Sequence, residues 1–134
     1  MKYTFCFLLL SAFWANAQTD NVTVSSPDGK LAVNVSLENG KPSYNISLNG
    51  KTFLNKSPLG LKTNVGDFTE GLVLKQNTSL RKIENTYELP NIKQSKVNYV
   101  ANEGVISFSK SNVDAIDVIF RVSNNDVAFR YKVY

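Results

Sequence analysis

The sequence has no histidine, one cysteine and one tryptophan in 134 residues. Without histidine the usual base of Ser and Cys triads is missing, and so is the commonest metal ligand. Cys6 and Trp14 both fall in the N-terminal apolar run, so the rest of the chain has no thiol chemistry, no disulfide and no indole platform. The seven glycines are isolated from one another, which excludes a Gly-rich phosphate loop. Charge of one sign is also scarce. Fifteen Lys and Arg against eleven Asp and Glu give +4, and the basic residues are scattered, from Lys30 and Lys41 to Arg81 and Lys82. A nucleic-acid footprint needs basic residues clustered on one face, so no nucleic-acid partner is expected.

The first residues read as a secretory signal peptide. Lys2 supplies a positive start, residues 5–14 are apolar apart from Ser11, and Ala15-Asn16-Ala17 is a small-x-small cleavage site. The run is shorter than the roughly 20 residues a membrane-spanning helix needs, and no other stretch is longer, so no membrane span is expected. Cys6 lies inside the run and not just after the cleavage site, so it does not read as a lipid anchor. The expected organisation is a signal peptide at 1–17 and one domain at 18–134, exported to the periplasm or beyond.

What is present is alternation. Leu31, Val33, Val35 and Leu37 are apolar, and Ala32, Asn34 and Ser36 between them are small or polar. Side chains of a strand alternate between faces, so this pattern places one row on a core and one in water. Asp28-Gly29 precedes the run and Asn39-Gly40 follows it, both suited to tight hairpin turns. Alternation resumes with Tyr44, Ile46 and Leu48. Residues 24–48 therefore predict a three-stranded antiparallel meander. Asn49-Gly50 predicts another turn, 52–54 a short strand, Pro58 an edge or corner, and Gly66-Asp67 a turn. A strand is expected from 71 towards 89, with a bulge near 76–79 and an end at Pro90. After a loop at 91–94, residues 96–101 read as a strand, Asn102-Glu103-Gly104 as its turn and 105–110 as the return strand. A turn at 112–114 follows. Ile116, Val118, Phe120 and Val122 then share one face, Asn124-Asn125-Asp126 turns, and Val127, Phe129, Tyr131 and Val133 alternate to the end. No stretch has a helical period, and turns recur every eight to twelve residues or so, which predicts an all-β antiparallel sandwich. Residues 129–134 remain strand-like with no polar tail, so a reading frame cut short is expected.

Carboxylates are the remaining candidates for acid–base chemistry. Asp28, Asp67, Asp114, Asp126, Glu38 and Glu103 all fall in predicted turns, where such residues serve Asx-type hydrogen bonds and solubility. No two are paired by the pattern, so no catalytic residue is assigned. Tyr87 and Tyr99 flank a loop and are the candidate carbohydrate-stacking residues, with core or edge packing as the competing reading. Tyr44 and Tyr131 fall on apolar faces and read as core. Arg121 and Arg130 lie opposite the main apolar rows of the last two strands. They read as solvated outer residues, partners of a buried carboxylate, or interface residues if more protein covers that face. Asn-x-Ser/Thr triplets at Asn21, Asn34, Asn45, Asn55 and Asn77 are expected by chance in so Asn- and Ser-rich a chain.

Four stretches in order carry a resemblance: Ser25-Ser26-Pro27-Asp28-Gly29-Lys30-Leu31; Ser57-Pro58-Leu59-Gly60-Leu61; Thr86-Tyr87-Glu88-Leu89-Pro90; and Asp117-Val118-Ile119-Phe120-Arg121 with Asn125-Asp126-Val127-Ala128-Phe129-Arg130-Tyr131. Together they resemble the N-terminal domain of glycoside hydrolase family 97. The resemblance implies a galactose-mutarotase-like β-supersandwich, of which this chain is about the first half. It implies a catalytic (β/α)8 barrel in cis, an exported α-glucosidase or α-galactosidase of Bacteroidota type, and calcium whose ligands fall outside this chain. The implied role is non-catalytic, supporting and bordering a carbohydrate site. A free-standing carbohydrate-binding or structural sandwich is the alternative. A half-sandwich is expected to leave unpaired edges.

Overall fold

A computed structural model describes residues 20–75, 79–90 and 96–134. The expected signal peptide, the centre of the bulge expected at 76–79 and the loop expected at 91–94 lie outside the described residues. Among the described residues all elements are strands: β1 (Asp20–Ser25), β2 (Leu31–Glu38), β3 (Lys41–Leu48), β4 (Lys51–Pro58), β5 (Lys62–Thr63), β6 (Gly66–Asp67), β7 (Val73–Leu74), β8 (Ser79–Glu88), β9 (Lys96–Lys110), β10 (Val113–Ser123) and β11 (Val127–Val133). No helix among the described residues is long and apolar enough to cross a membrane.

The first four strands form one antiparallel sheet in the order β1-β2-β3-β4. Asn39 and Gly40 have φ of 51° and 73°, Asn49 and Gly50 of 51° and 76°, and Ser111 and Asn112 of 52° and 63°. Positive φ at both central residues defines the type I′ turn, whose twist matches that of paired strands. These turns pair Glu38 with Lys41, Leu48 with Lys51 and Lys110 with Val113. The β1–β2 link is longer than the two-residue turn expected. Its loop closes through Ser26, whose N–H donates to the Leu31 carbonyl (2.7 Å) and whose Oγ accepts the Leu31 N–H (3.0 Å).

The second sheet runs β11-β10-β9, with β8 and β7 both paired along the far side of β9. Here the expected turn at Asn102-Glu103-Gly104 is corrected, because β9 is one uninterrupted 15-residue strand. All three residues are explained by what they meet. The Asn102 amide donates to the Ser25 carbonyl across the sandwich (2.8 Å). Glu103 is ion-paired on the opposite face. A Cβ on Gly104 would lie 2.4 Å from Val24 Cγ2, so β1 approaches β9 closely only over glycine.

Smaller corrections have the same character. Gly66 and Asp67 pair with Thr63 and Lys62, and the bend lies at 64–65. The strand expected from 71 towards 89 is divided into β7 and β8. The short strand expected at 52–54 lies within the first half of eight-residue β4, and Asp114 belongs to β10. Pro58 closes β4 on a sheet edge, where no ladder hydrogen bond is lost.

The core lies between the sheets. Val24, Leu31, Val33 and Val35 face Ile106, Phe108, Ile116, Val118, Phe120 and Val122. Leu59, Phe68 and Leu72, from the segment between β4 and β7, join the same cluster. They are held by N–H donations from Leu59 to the Pro42 carbonyl (2.9 Å) and from Leu72 to the Gly40 carbonyl (3.0 Å). Phe120, Phe129, Tyr44 and Tyr131 form an aromatic cluster, with Phe120 and Phe129 centroids 5.3 Å apart. The Tyr131 hydroxyl accepts the Gly60 N–H at 3.1 Å, so this packed tyrosine keeps a polar partner.

Candidate functional site on the outer face of the second sheet

Antiparallel register decides which side chains share the outer face. Arg81 on β8 stands opposite Glu103 on β9, which stands opposite Arg121 on β10. Three charged residues thus form one line across three strands, since directly opposed residues of a pair project on the same side. Glu103 Oε1 accepts from Arg81 Nε (2.8 Å) and Nη2 (2.6 Å), and Oε2 accepts from Arg121 Nε (2.6 Å).

The Glu103 side chain is 1% exposed, whereas those of Arg81 and Arg121 are 62% and 41% exposed. Burial alone would raise the carboxyl pKa. The hydrogen bonds from Arg121 and Arg81 outweigh it and hold Glu103 below the ordinary carboxylate range. The group is therefore a fixed anion at neutral pH and not a proton donor. Its two arginines leave the ladder with a net positive charge.

The four residues singled out from sequence all come to this face. Arg130 is paired with Ile119, one step diagonal to Arg121, which is paired with Ala128. Ile119, Arg121, Ala128, Phe129 and Arg130 line a shallow depression of about 360 Å³. Among the described residues Arg130 makes no ion pair. Tyr87 is paired with Val97, and Tyr99 with Asn85, so the two tyrosines occupy diagonal positions on neighbouring strands. Tyr87 is exposed and Tyr99 half-buried. Burial pushes the Tyr99 hydroxyl pKa up, Asp126 adds to the rise and Arg121 opposes it.

Arg81 and Glu103 were missed as site residues, Glu103 having been read as a turn carboxylate. The signal is a charge at the right parity in each of three strands, Arg81, Glu103 and Arg121, and that is legible only once the register is known. Asp117, on the same face of β10, is buried and accepts the Tyr134 hydroxyl at 2.8 Å. Lys132 Nζ donates to that hydroxyl at 2.9 Å.

The arrangement suits recognition. It offers guanidinium donors, a hydrophobic floor at Ile119 and two tyrosines, with no facing carboxylate pair among the described residues. Among the described residues no three acidic side chains converge, Glu103 is held by two guanidinium groups, and Asp67 is held by Lys62 and Thr69.

Known proteins place the fold. Residues 24–134 match the family described as Glycosyl-hydrolase 97 N-terminal. A probable retaining alpha-galactosidase of Streptomyces bingchenggensis is 30% identical over 121 residues, which cover 87% of this chain and 19% of that protein. The crystal structure of a beta-arabinopyranosidase superposes with a TM-score of 0.76 at 48% identity, covering 84% of this chain and 18% of that one. A family 97 enzyme of Pseudoalteromonas sp. strain K8, solved with panose, superposes with a TM-score of 0.75 at 29% identity over 84% of this chain and 17% of its own. The chain thus spans less than a fifth of the length of these relatives. With an antiparallel two-sheet sandwich and a match over nearly all of the described residues, the chain belongs to the glycosyl-hydrolase 97 N-terminal family.

Proposed function

We propose that this chain is the non-catalytic N-terminal sandwich of an exported glycoside hydrolase, and that it supports a catalytic barrel carried in the same polypeptide. The family match across residues 24–134 carries the reading. The Arg81–Glu103–Arg121 face is the docking side in this reading, with Arg121 and Arg130 receiving acidic or hydroxyl groups from the barrel. The outer row of the first sheet, with Thr23, Asn34, Ser36 and Ser43, is small and polar.

The relatives' names support one substrate class over another. In the L series a β-arabinopyranoside has the ring configuration of an α-galactopyranoside without its hydroxymethyl arm. The 48% identity to a beta-arabinopyranosidase and the 30% identity to a probable retaining alpha-galactosidase therefore favour galacto-configured glycosides over glucosides.

An assay on nitrophenyl α-galactoside, β-L-arabinopyranoside and α-glucoside tests this. The purified chain alone is expected to release no nitrophenol. Fused in frame to the barrel portion of a family 97 relative, it is expected to sustain hydrolysis, with Arg121→Ala lowering the yield of active enzyme. Turnover by the isolated chain that co-purifies with it would overturn the reading.

A further inference from the structure

A second concave site lies away from the arginine face. At the end of the sandwich a cavity of about 480 Å³ is lined by Leu31, Ile46, Leu48, Phe53, Val127 and the turn residues 124–126. That volume is within the range of small-molecule sites, roughly 300–1,000 Å³. Phe53 is 76% exposed, an unusual position for a large aromatic ring in a chain with a well-filled core. It sits where the β3–β4 register shifts, between the Ile46–Leu54 and Ser47–Thr52 pairs. A bulge re-aims a side chain in this way.

The opposite wall is polar and held in place. Asn124 Oδ1 accepts the Asp28 N–H at 3.1 Å, which leaves its NH2 group for a ligand. Asp126 Oδ2 accepts the Ser123 hydroxyl at 2.7 Å, which leaves Oδ1. Ser123 Oγ in turn accepts the N–H groups of Asn125 (3.2 Å) and Asp126 (3.0 Å). The Asn125 side chain makes no hydrogen bond among the described residues. One face therefore offers an aromatic ring over aliphatic side chains, and the other offers amide donors and acceptors beside a carboxylate oxygen.

We propose that this cavity is a carbohydrate-binding site for a galacto-configured pyranose, which rests on the glycosidase reading above. A pyranose has an apolar C–H face and a rim of hydroxyl groups. In the galacto ring the axial O4 leaves H3, H4 and H5 together on one side. That patch stacks on Phe53, and the hydroxyl rim meets Asn124, Asn125 and Asp126, whose groups both donate and accept. In this proposal the stacking platform is Phe53 rather than Tyr87 or Tyr99.

The test is a titration of the isotope-labelled purified chain with galactose, L-arabinose and maltotriose, followed by amide NMR shifts. Saturable shifts confined to β4 and residues 123–127 are expected with galactose and L-arabinose, and weaker ones with maltotriose. Phe53→Ala and Asn125→Ala are each expected to weaken binding about tenfold or more, an effect of about 1.4 kcal/mol. Tyr87→Ala is expected to leave it unchanged. Because Phe53 and Asn125 are exposed, both variants should keep the parent spectrum elsewhere, and this separates lost binding from lost folding. No saturable shift with any of the three sugars, or loss of binding in Tyr87→Ala but not Phe53→Ala, overturns the site. Neither outcome bears on whether the chain supports a catalytic barrel, which the hydrolysis assay decides separately.

Discussion

Glu103 shows how far one residue depends on its surroundings. A carboxylate this buried is tolerated because two arginines neutralise it. Removing the charge in Glu103→Gln leaves two guanidinium groups facing a neutral amide. Both are partly exposed, so water recovers part of the loss. The expected destabilisation is about 1–3 kcal/mol at pH 7, read as a shift in the urea midpoint with an unchanged m-value. The pH dependence has a definite sign. The folded pKa of Glu103 lies below its ordinary value of 4.5, so the ladder's contribution is present above that value and is lost as pH falls through the folded pKa. Asp28 and Asp67 are also lowered, chiefly by hydrogen bonds from Ser26 and Thr69, and share this acid limb. The difference in stability between parent and Glu103→Gln is therefore expected to shrink as pH is lowered below about 4.5. A gap that stays constant to pH 2 would show that the charge on Glu103 contributes nothing.

Between elements, the decisive contact is the approach of β1 to β9. Gly104 stands under Val24 with no room for a methyl group. Gly104→Ala is expected to cost about 1–3 kcal/mol, as overpacking does. Combined with Val24→Ala it should cost clearly less than the sum of the two single changes, because the smaller side chain removes the clash. Additive costs in a double-mutant cycle would place the strain elsewhere. The same contact explains which elements were legible. The meander was readable because Asn39-Gly40 and Asn49-Gly50 encode their turns locally and Leu31, Val33 and Val35 repeat with a period of two. β9 was not, because Asn102, Glu103 and Gly104 imitate a turn. Their actual partners, Ser25, Arg81, Arg121 and Val24, are distant in sequence and invisible to a local pattern. The outer-face candidates Tyr87, Tyr99, Arg121 and Arg130 were named individually, but nothing local placed them on one surface.

Over the whole molecule one core joins both sheets, and Phe120 lies at its centre with Phe129 and Tyr44 around it. Unfolding is expected to be a single transition, with far-ultraviolet circular dichroism and tyrosine fluorescence coinciding. Phe120→Ala should cost about 3–5 kcal/mol. That is a large share of the 5–15 kcal/mol or so available to a domain of this size, so the variant should be largely unfolded by mild heating. Separate transitions for the two probes would mean that the sheets fold independently. Edge strands remain on both sheets, β1 on one and β11 on the other, and Phe129 and Tyr134 are exposed. Docking of further protein against those edges is what the proposed supporting role requires.

The sequence by itself determined the strand class, the tight turns and the apolar rows. These depend on backbone torsion and on a period of two, properties of neighbouring residues. Only the tertiary structure decided that a polar triplet lies within a long strand, that Glu103 is buried between two arginines, and that Phe53 and the 124–126 turn face one cavity. Each depends on register and on the packing of one sheet over the other, which bring together residues 20 to 80 or so positions apart that no local pattern relates.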